Sequence, residues 1–324
     1  MLMTVTAPGE APMDMKSRID QAMEQAIARA QSLSAPPRLM AAMRHAVFPG
    51  GARIRPQLCL AVARACGDDA PELTDAVAVA IEMLHCASLV HDDMPCFDDA
   101  DTRRGQPTVH RLHGEPLALL SGDALIVMAF ETLARAAHRH PQRLGGLLAT
   151  LCAATGAPDG IVAGQAWECE THASLSRYQR AKTGALFVAS TCAGAQAAGA
   201  PHEAWRALGE CLGEAYQVAD DIRDVMLHSD ELGKPAGQDA QHHRPSAAAD
   251  LGLLGAVEHF HHLMQAAVSS VPDCSSRHDL RRLVLSEADR LIPQSTCDRI
   301  ARQQTTAASC ALAARAVPLR GALA

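Results

Sequence analysis

The sequence predicts one all-α domain over residues 15–324, after a disordered segment at residues 1–14. Aromatic residues make up only 3% of the 324 residues, whereas hydrophobic residues of all kinds make up 48%, with Ala and Leu prominent. Ala and Leu favour helices, and the aromatic residues that favour strands are sparse. No stretch alternates apolar and polar residues with period two, so we expect no strands. Long helices should therefore pack around a central pocket.

Proline, glycine and polar clusters divide the chain into helical segments. Pro8 and Pro12 punctuate the polar N-terminus, which is why residues 1–14 should be disordered. The breakers Pro36-Pro37 and Phe48–Gly51 end the first two helices, because proline and glycine do not continue a helix well. The predicted helices are Lys16–Leu33, a short segment ending at Phe48, Pro56–Cys66, Glu72–Met94, Glu115–His138, Gln142–Thr155, Pro158–His172, Ser176–Ala198, His202–Leu227, Ser246–Val268, Ser276–Leu291 and Thr296–Ala314.

The charge, the N-terminus and the cysteines exclude several classes of protein. The formal net charge of −7 argues against a nucleic-acid partner, because a phosphate backbone requires an excess of Lys and Arg. Residues 1–15 lack the features of a signal peptide, and no stretch reaches the about 18 uninterrupted apolar residues of a membrane span. The 11 cysteines lack CxxC spacing, which indicates free thiols in a reducing compartment. These observations predict a cytoplasmic protein without a membrane span.

A first acidic cluster places five aspartates within the ten residues Asp92–Asp101, directly after a long apolar helix. Pro95 should end the helix and let the chain bulge, which would bring Asp98 back beside Asp92. Carboxylates packed this closely repel one another unless cations compensate them. Their oxygens suit Mg²⁺, which usually binds through one or two carboxylates together with substrate phosphates. Taken alone, the cluster fits a solvated acidic loop neutralised by Arg103-Arg104 equally well.

A second acidic cluster lies late in another predicted helix. Asp220 and Asp224 are four residues apart, and Gln217 precedes Asp220 by three, so all three share one helix face. The two like charges destabilise an isolated helix by about 0.2–0.5 kcal/mol, and Arg223 should point away from them. Alone, this pattern is also typical of a solvent-exposed helix. Two such clusters, each followed by basic residues such as Lys234, favour metal ions that hold a diphosphate substrate.

The two motifs and their order resemble those of the trans-isoprenyl diphosphate synthases. His91–Asp98 with Arg103-Arg104-Gly105 is similar to the first aspartate-rich motif of that family, and Gln217–Asp224 with Leu232-Gly233-Lys234 is similar to the second. The resemblance extends from about Arg44 to Gly252. It implies an all-α fold with about a dozen helices around a central active-site cavity. It also implies a homodimer that binds two or three Mg²⁺ ions in each active site.

The reaction implied by the resemblance is the head-to-tail condensation of isopentenyl diphosphate with an allylic prenyl diphosphate. The allylic diphosphate ionises, the double bond of isopentenyl diphosphate attacks the carbocation, and a proton leaves. Cations must neutralise the departing diphosphate, which explains the residue types. The implied magnesium ligands are Asp92, Asp93, Asp98, Asp220, Asp221 and Asp224. The implied catalytic residues are Asp92, Asp98, Arg103, Lys182, Thr183, Gln217, Asp220 and Lys234, and those holding the allylic diphosphate are Arg103, Lys182, Lys234 and Arg244.

The resemblance also implies an isopentenyl diphosphate site, formed by Gly51, Arg53, Arg55, His85 and Arg104. A lone histidine on an apolar helix is more often a core residue, and only the resemblance favours substrate contact for His85. The family usually has Lys after its two glycines, where this chain has Ala52, so we expect weaker apparent affinity for this substrate. A further departure is Gln241–Ser246, where the family has Gly-Lys-Ser-Thr and Arg244 is expected to replace the lysine.

Ala87 and Ser88, one helical turn before Asp92, are expected to set the product length, because the growing chain should extend along this helix. Farnesyl diphosphate synthases of this type tend to carry an aromatic residue five positions before the first aspartate, and Ala87 leaves that space open. Ala87-Ser88 together with Asp93-Met94-Pro95-Cys96 is similar to the corresponding residues of bacterial geranylgeranyl diphosphate synthases that feed carotenoid or bacteriochlorophyll synthesis. We therefore predict a C20 product.

Three alternatives to this function stay open. A farnesyl diphosphate synthase, with a C15 product, would differ in the floor of its pocket. A terpene cyclase does not need the Gly50-Gly51 loop, Lys182 or Lys234, and cyclases are usually richer in aromatic residues than 3%. A catalytically silent paralogue, serving as a partner subunit, would fit Ala52 but has no need to retain two clusters of repelling carboxylates.

Overall fold

The computed structural model describes residues 14–31, 34–48, 50–170, 174–226 and 246–300. The predicted site residues Lys234 and Arg244, the segment 1–13 and the end of the last predicted helix lie outside these ranges. The helices are α1 Met15–Ala30, α2 Pro37–Val47, α3 Ile54–Ala65, α4 Pro71–Asp92, α5 Val109–His113, α6 Glu115–Ala136, α7 Pro141–Thr155, α8 Ile161–Trp167, α9 Leu175–Gln179, α10 Ala185–Ala197, α11 Arg206–Met226, α12 Ala247–Ser270 and α13 Arg277–Leu291. The predicted all-α class is confirmed.

The long apolar helix α4 lies at the centre of the fold, packed against α1, α2, α3, α6, α7 and α10. Residues on all of its sides are buried, including Leu73, Ile81 and Leu84 at 1% exposure or less. A helix that is apolar all round must be covered on every side. The first acidic cluster therefore begins at the end of a helix that is packed on all sides.

The small residues of α10 allow it to pack closely against α3. A Cβ atom on Gly194 would lie 2.5 Å from the carbonyl oxygen of Cys59, so only glycine permits this approach. α10 joins two hydrophobic clusters: one is built mainly on α1, α2, α4, α6 and α7, and the other on α3, α11, α12 and α13. Helices α4 and α11, which carry the two acidic clusters, belong to different hydrophobic clusters and meet across α10.

The prediction of no strands is wrong at one place. Thr102–Arg103 (β1) and Gln106–Pro107 (β2) pair as a short antiparallel hairpin. Its two turn residues, Arg104 and Gly105, both have positive φ, at 55° and 73°. This is the type I′ geometry that matches the twist of a two-stranded hairpin. Four strand residues are too few to show a period-two pattern, so the hairpin could not be predicted from hydrophobic periodicity.

Two predicted helices differ most from the observed ones, and the short helix α5 was not predicted. The predicted helix Pro158–His172 is reduced to α8, Ile161–Trp167. The predicted helix Ser176–Ala198 is divided into α9 and α10 by a π-helical turn at Arg180–Gly184. Both changes concern segments that face the cavity described below.

Within the described ranges, two helices are apolar and long enough to cross a membrane, Pro71–Asp92 and Glu115–Arg139. The first has 78% of its apolar window buried inside the protein, as expected for a central core helix. The second has only 44% buried, because one face of α6 is exposed. Neither helix is an uninterrupted apolar run, so both escaped the search of the sequence for a membrane span. The burial of the first helix identifies it as part of the core.

Candidate active site

A single cavity of about 350 Å³ collects most of the predicted site residues. Its wall comes from the start of α3, the ends of α4 and α11, α8, the π-helical turn and α13. The predicted residues on its wall are Gly51, Arg53, Arg55, His85, Ser88, Asp92, Asp98, Arg103, Arg104, Lys182, Thr183, Gln217 and Asp220. Segments far apart in sequence therefore meet at one place.

The turn after α4 brings Asp98 back to Asp92, as the position of Pro95 predicts. The backbone N–H of Asp98 donates to the carbonyl oxygen of Asp92 at 3.0 Å. Asp99 and Asp101 belong to the same acidic run but face outward and pair with Arg111 at 3.1 and 2.7 Å. The run is thus divided into a cavity-facing pair and a surface group.

Asp92 is nearly buried at the C-terminal end of α4, where the helix dipole disfavours a negative charge. Lys182 Nζ lies 3.1 Å from its Oδ1, and Gln165 Nε2 donates to the same oxygen at 2.9 Å. Burial alone would raise the pKa of Asp92, but the charges of Lys182 and Arg103 outweigh it and lower the pKa. The carboxylate is therefore ionised at neutral pH.

Asp93 is placed to support Arg103, not to face the cavity. It is 3% exposed, and Arg103 Nε donates to its Oδ1 at 2.9 Å. Burial raises the pKa of Asp93 to about 6, against the lowering effect of Arg103. Arg103 Nη2 in turn lies 3.7 Å from Asp92 Oδ2. Within the described part of the chain Asp93 is not on the cavity wall, and its predicted direct contact with a metal ion stays a prediction.

Lys182 lies in the π-helical turn, a wider turn of a kind that is frequent at functional sites. α8 packs directly against it, because a Cβ atom on Gly164 would lie 2.3 Å from the backbone nitrogen of Lys182. The Lys182 ammonium bridges two carboxylates, at 3.1 Å from Asp92 Oδ1 and 2.6 Å from Glu168 Oε1. The turn therefore places a cation between α4 and α8.

Glu168 is a site residue that the sequence analysis missed. Carboxylate oxygens of Asp92, Asp98 and Glu168 lie within 4.8 Å of one another. Tyr178 donates its hydroxyl proton to Glu168 Oε1 at 2.7 Å. Three convergent carboxylates form a donor set that suits Mg²⁺. The only signal in the sequence was the i, i+3 spacing of Gln165 and Glu168, which does not reveal that α8 faces Asp92.

In the second motif, three side chains form a hydrogen-bonded chain. Thr183 Oγ1 donates to Gln217 Oε1 at 2.8 Å, and Gln217 Nε2 donates to Asp221 Oδ1 at 2.9 Å. The other oxygen of Asp221 accepts the backbone N–H of Ala247, the first residue of α12, at 2.7 Å. Asp221 is 1% exposed. It therefore fixes the N-terminus of α12 against α11, and its predicted role as a metal ligand stays a prediction.

Asp220 and Arg223 are the charged side chains that α11 presents to the cavity. Arg223 was expected to point away, but it lies one helical turn beyond Asp220, and residues three apart share a helix face. Asp224 is 8% exposed and, among the described residues, does not line the cavity. The predicted ligand pair Asp220 and Asp224 is thus replaced on the wall by a carboxylate and a guanidinium.

A second group of wall residues is basic. The Arg55 guanidinium lies over the Phe187 ring, 4.5 Å from its centroid, and Arg55 Nη1 is 3.4 Å from His85 Nε2. Gly51 lets Arg104 approach, because a Cβ atom there would lie 3.1 Å from its guanidinium. Burial, and then the charges of Arg55 and Arg104, lower the pKa of His85 well below its usual value. His85 is therefore neutral, and the positive charge comes from arginines.

Arg53 borders the cavity but is only 2% exposed, and its hydrogen bonds are made within the protein. Its guanidinium donates to Glu82 Oε1 at 2.7 Å, Asp20 Oδ1 at 3.0 Å and the Val47 carbonyl at 2.9 Å. The close packing requires glycine at Gly50, where a Cβ atom would lie 2.2 Å from the guanidinium. Each nitrogen of the guanidinium donates to a partner within the protein, so Arg53 holds the loop in place.

The two residues expected to set product length differ in their surroundings. Ser88 lines the cavity, and its Oγ donates to the His85 carbonyl at 2.8 Å. Ala87 is 1% exposed in the hydrophobic core and, in the part of the chain that is described, is not on the cavity wall. Ser88 is therefore the position where a larger side chain would meet the cavity directly.

Comparison with known proteins gives consistent matches. A polyprenyl synthetase family model matches residues 36–275, which include both acidic clusters and Lys182. A geranylgeranyl diphosphate synthase of Cereibacter sphaeroides is 54% identical over 288 residues, covering 89% of this chain and 100% of that protein. One from Rhodobacter capsulatus is 46% identical over 280 residues, covering 86% of this chain and 97% of that protein. A solved Helicobacter pylori geranyltransferase, complexed with magnesium and isoprenyl diphosphate, is similar with a TM-score of 0.73 and 29% identity, covering 88% of this chain and all 100% of that one.

Proposed function

The chain belongs to the polyprenyl synthetase family, and we propose that it condenses isopentenyl diphosphate with an allylic prenyl diphosphate to give geranylgeranyl diphosphate. The observation that carries this proposal is one cavity with two kinds of wall. Asp92, Asp98 and Glu168 converge beside Lys182, while Arg55 and Arg104 line the same cavity. One diphosphate would bind through metal ions and the other directly to arginines.

Asp92, Asp98 and Asp220 are the proposed magnesium ligands, with Glu168 as a further carboxylate beside the first two. They fit the ion chemically, since Mg²⁺ prefers oxygen ligands and is commonly held by carboxylates together with substrate phosphates. Bound Mg²⁺ would neutralise charge that develops on the departing diphosphate. Asp93 acts indirectly in this proposal, by holding Arg103 in place.

Lys182 and Arg103 are the proposed direct contacts to the allylic diphosphate. Each already lies against Asp92, at 3.1 and 3.7 Å, so a diphosphate bound beside Asp92 would meet both cations. Fixed cations of this kind stabilise the leaving group without reorganising as the carbon–oxygen bond breaks. Lys182 is held by Glu168 at 2.6 Å, which keeps its ammonium in the cavity.

Thr183 and Gln217 are proposed to orient polar atoms toward the allylic cation. The hydrogen bond from Thr183 to Gln217, at 2.8 Å, fixes both side chains on the cavity wall. Their oxygens are partly negative dipoles, which favour a nearby positive charge. The proton lost after carbon–carbon bond formation is proposed to go to the released diphosphate.

The second diphosphate, that of isopentenyl diphosphate, is proposed to bind at Arg55 and Arg104 beside Gly51. Arginine forks match phosphate oxygens in geometry and keep their charge when they are partly buried. Neutral His85 can complete this site as a hydrogen-bond partner. Arg53 is not included, because its donors are used by Glu82 and Asp20.

The experiment that tests this function uses the purified full-length chain with labelled isopentenyl diphosphate and each allylic diphosphate in turn. We expect a prenyl diphosphate product that requires an allylic primer, disappears with a chelator and returns when Mg²⁺ is added. A folded protein that makes no product with any primer would contradict the proposal and favour a catalytically silent partner subunit.

We also propose that a second copy of the chain covers the exposed face of α6. Leu119, Leu120 and Val127 on this helix are 47%, 50% and 67% exposed, and Leu112 just before it is 55% exposed. A large exposed apolar patch of this kind marks a protein or membrane contact, and a homodimer is the usual assembly for such a face.

Sedimentation equilibrium tests the dimer. The double variant Leu120→Asp with Val127→Asp should be monomeric where the wild type is dimeric. Leu285→Asp, at a residue 49% exposed on α13, is the matched control and should remain dimeric. A wild type that sediments as a monomer would contradict the dimer.

A cytoplasmic location is proposed from the thiols. The ten cysteines within the described residues are all free, and three of them are buried. Free thiols are usual in a reducing compartment. Localisation of a tagged full-length protein by fractionation would test this, and recovery in the membrane fraction would contradict it.

A further inference from the structure

Arg290, in helix α13, is a cavity residue outside every motif discussed above. Its Nε donates to Glu287 Oε2 at 2.8 Å, and its Nη2 donates to the hydroxyl oxygen of Tyr216 at 2.8 Å. Tyr216 donates its own proton to Glu287. The three side chains therefore hold one another, and they fix α13 to α11 at the edge of the cavity.

The surroundings of Arg290 place it with the basic part of the wall. The Arg290 guanidinium carbon lies 5.9 Å from the centroid of the Tyr216 ring. Tyr216 packs on Phe187 with ring centroids 4.5 Å apart, and Phe187 in turn lies under the Arg55 guanidinium at 4.5 Å. A continuous stack therefore connects Arg290 with Arg55, by way of two aromatic rings.

Arg290 retains donors for a ligand. Its side chain is 42% exposed, whereas that of its partner Glu287 is only 10% exposed. Among the described residues Nη1 makes no hydrogen bond, because the bonds of Arg290 to Glu287 and Tyr216 use Nε and Nη2. The carboxylate thus positions the guanidinium from the protein side and leaves its outer edge open to the cavity. This geometry suits a phosphate, which arginine recognises through two adjacent N–H groups.

We propose that Arg290 binds the diphosphate of isopentenyl diphosphate and supplies the cationic contact that Ala52 cannot make. The inference rests on the proposed function and adds a residue to it. Ala52 and Arg290 line the same cavity, so a cation from α13 can reach a diphosphate that a longer side chain at position 52 would also contact. The allylic diphosphate is assigned to Lys182 and Arg103 instead, because these two cations lie beside Asp92 in the carboxylate cluster.

The test compares the Michaelis constants for the two substrates in Arg290→Gln and Arg290→Lys. Glutamine retains hydrogen-bonding capacity without the charge, and lysine retains the charge. Arg290→Gln should raise KM for isopentenyl diphosphate about tenfold or more, as expected for loss of a charge-assisted contact, and leave KM for the allylic substrate unchanged. Arg290→Lys should recover most of the loss. Arg282→Gln is the matched control, because Arg282 lies on the same helix and pairs with Asp279 at the surface.

A second variant tests directly whether a lysine at position 52 can replace the charge of Arg290. Adding Ala52→Lys to Arg290→Gln should lower KM for isopentenyl diphosphate again. Unchanged Michaelis constants in Arg290→Gln would overturn the proposal. An equal rise in the Michaelis constants for both substrates, together with a lower melting temperature, would also overturn it, because that is the effect of a merely structural residue.

Failure of the proposed function would give a different result. In that case the wild type would make no product. Calorimetric titration of the wild type and of Arg290→Gln with isopentenyl diphosphate then decides the role of Arg290 without turnover. Weaker binding by Arg290→Gln supports the assignment, and equal binding contradicts it.

Discussion

Lys182 Nζ lies 3.1 Å from Asp92 Oδ1, so the cation of the π-helical turn is the counterion of the first aspartate of the acidic run. The same ammonium lies 2.6 Å from Glu168. Removal of this cation would leave two carboxylates facing each other at the end of a helix, where negative charge is already disfavoured. The stability of this region is therefore coupled to whatever cation occupies it.

Lys182→Met should make the protein more dependent on Mg²⁺ for stability. We expect the free energy of unfolding without metal to fall by about 1–3 kcal/mol, the usual effect of leaving buried charged groups unpaired. Added Mg²⁺ should raise the melting temperature of the variant more than that of the wild type. Thermal unfolding with and without Mg²⁺ measures this, and an equal metal effect in both proteins would show that Lys182 and the ion do not share a site.

Asp92→Asn should reduce kcat by about 100-fold or more, because it removes a proposed ligand of the Mg²⁺ that would neutralise the departing diphosphate. Asp101→Asn is the matched control. It changes the same acidic run, but Asp101 pairs with Arg111 and its side chain is 76% exposed. Steady-state kinetics at saturating Mg²⁺ compares the two. Similar losses in both variants would mean that the run acts through its total charge.

Arg53 and Arg55, two residues apart, should respond in opposite ways to substitution. Arg53→Met leaves Glu82 buried without its partner and should lower the free energy of unfolding by about 3–5 kcal/mol. Arg55→Met should leave the protein folded and raise KM for isopentenyl diphosphate. Denaturant unfolding and kinetics of both variants check this. A stable Arg53→Met protein with a raised KM would restore Arg53 to the substrate site.

Ser88→Phe should shorten the product from C20 to C15, because Ser88 lies on the cavity wall. Ala87→Phe, which the sequence favoured for the same effect, adds a ring inside the core and should destabilise the fold by about 1–3 kcal/mol. Product chain length and melting temperature distinguish the positions. If Ala87→Phe gave C15 without loss of stability, the length-setting position would be Ala87.

His85 should make the protein less stable at mildly acidic pH. Its pKa is well below the usual 6.5 in the folded protein, so the unfolded chain binds a proton first as the pH falls. The stabilising contribution is complete above pH 6.5 and is lost as the pH falls toward the folded pKa. The free energy of unfolding of His85→Gln should therefore decrease less on acidification than that of the wild type. His138→Gln, at an exposed histidine, is the control and should follow the wild type. If the free energy of unfolding depended on pH in the same way in all three proteins, the buried, neutral state of His85 would be contradicted.

The sequence predicted those features of the site that depend on local patterns. The return of Asp98 to Asp92 followed from Pro95, and the shared face of Gln217 and Asp220 followed from helix periodicity. The helical class followed from composition. Such features can be predicted because they depend only on residues that are close together in the sequence.

Features that depend on packing between distant segments could not be predicted in this way. Glu168 becomes a site residue only because α8 faces α4, and Asp221 is fixed by the start of α12, 26 residues later. Arg53 looked like a phosphate ligand because its loop is rich in arginine and glycine. Its burial is set by Glu82 and Asp20 on two other helices, and no local pattern records that partnership.

The most direct test of the central claim is the length of the product made by the wild-type chain with Mg²⁺, isopentenyl diphosphate and farnesyl diphosphate as primer. The structure and the relatives together predict one addition, with geranylgeranyl diphosphate as the main product and no product when Mg²⁺ is chelated. If the enzyme instead stopped at farnesyl diphosphate with shorter primers and left it unextended, the C20 assignment would be contradicted.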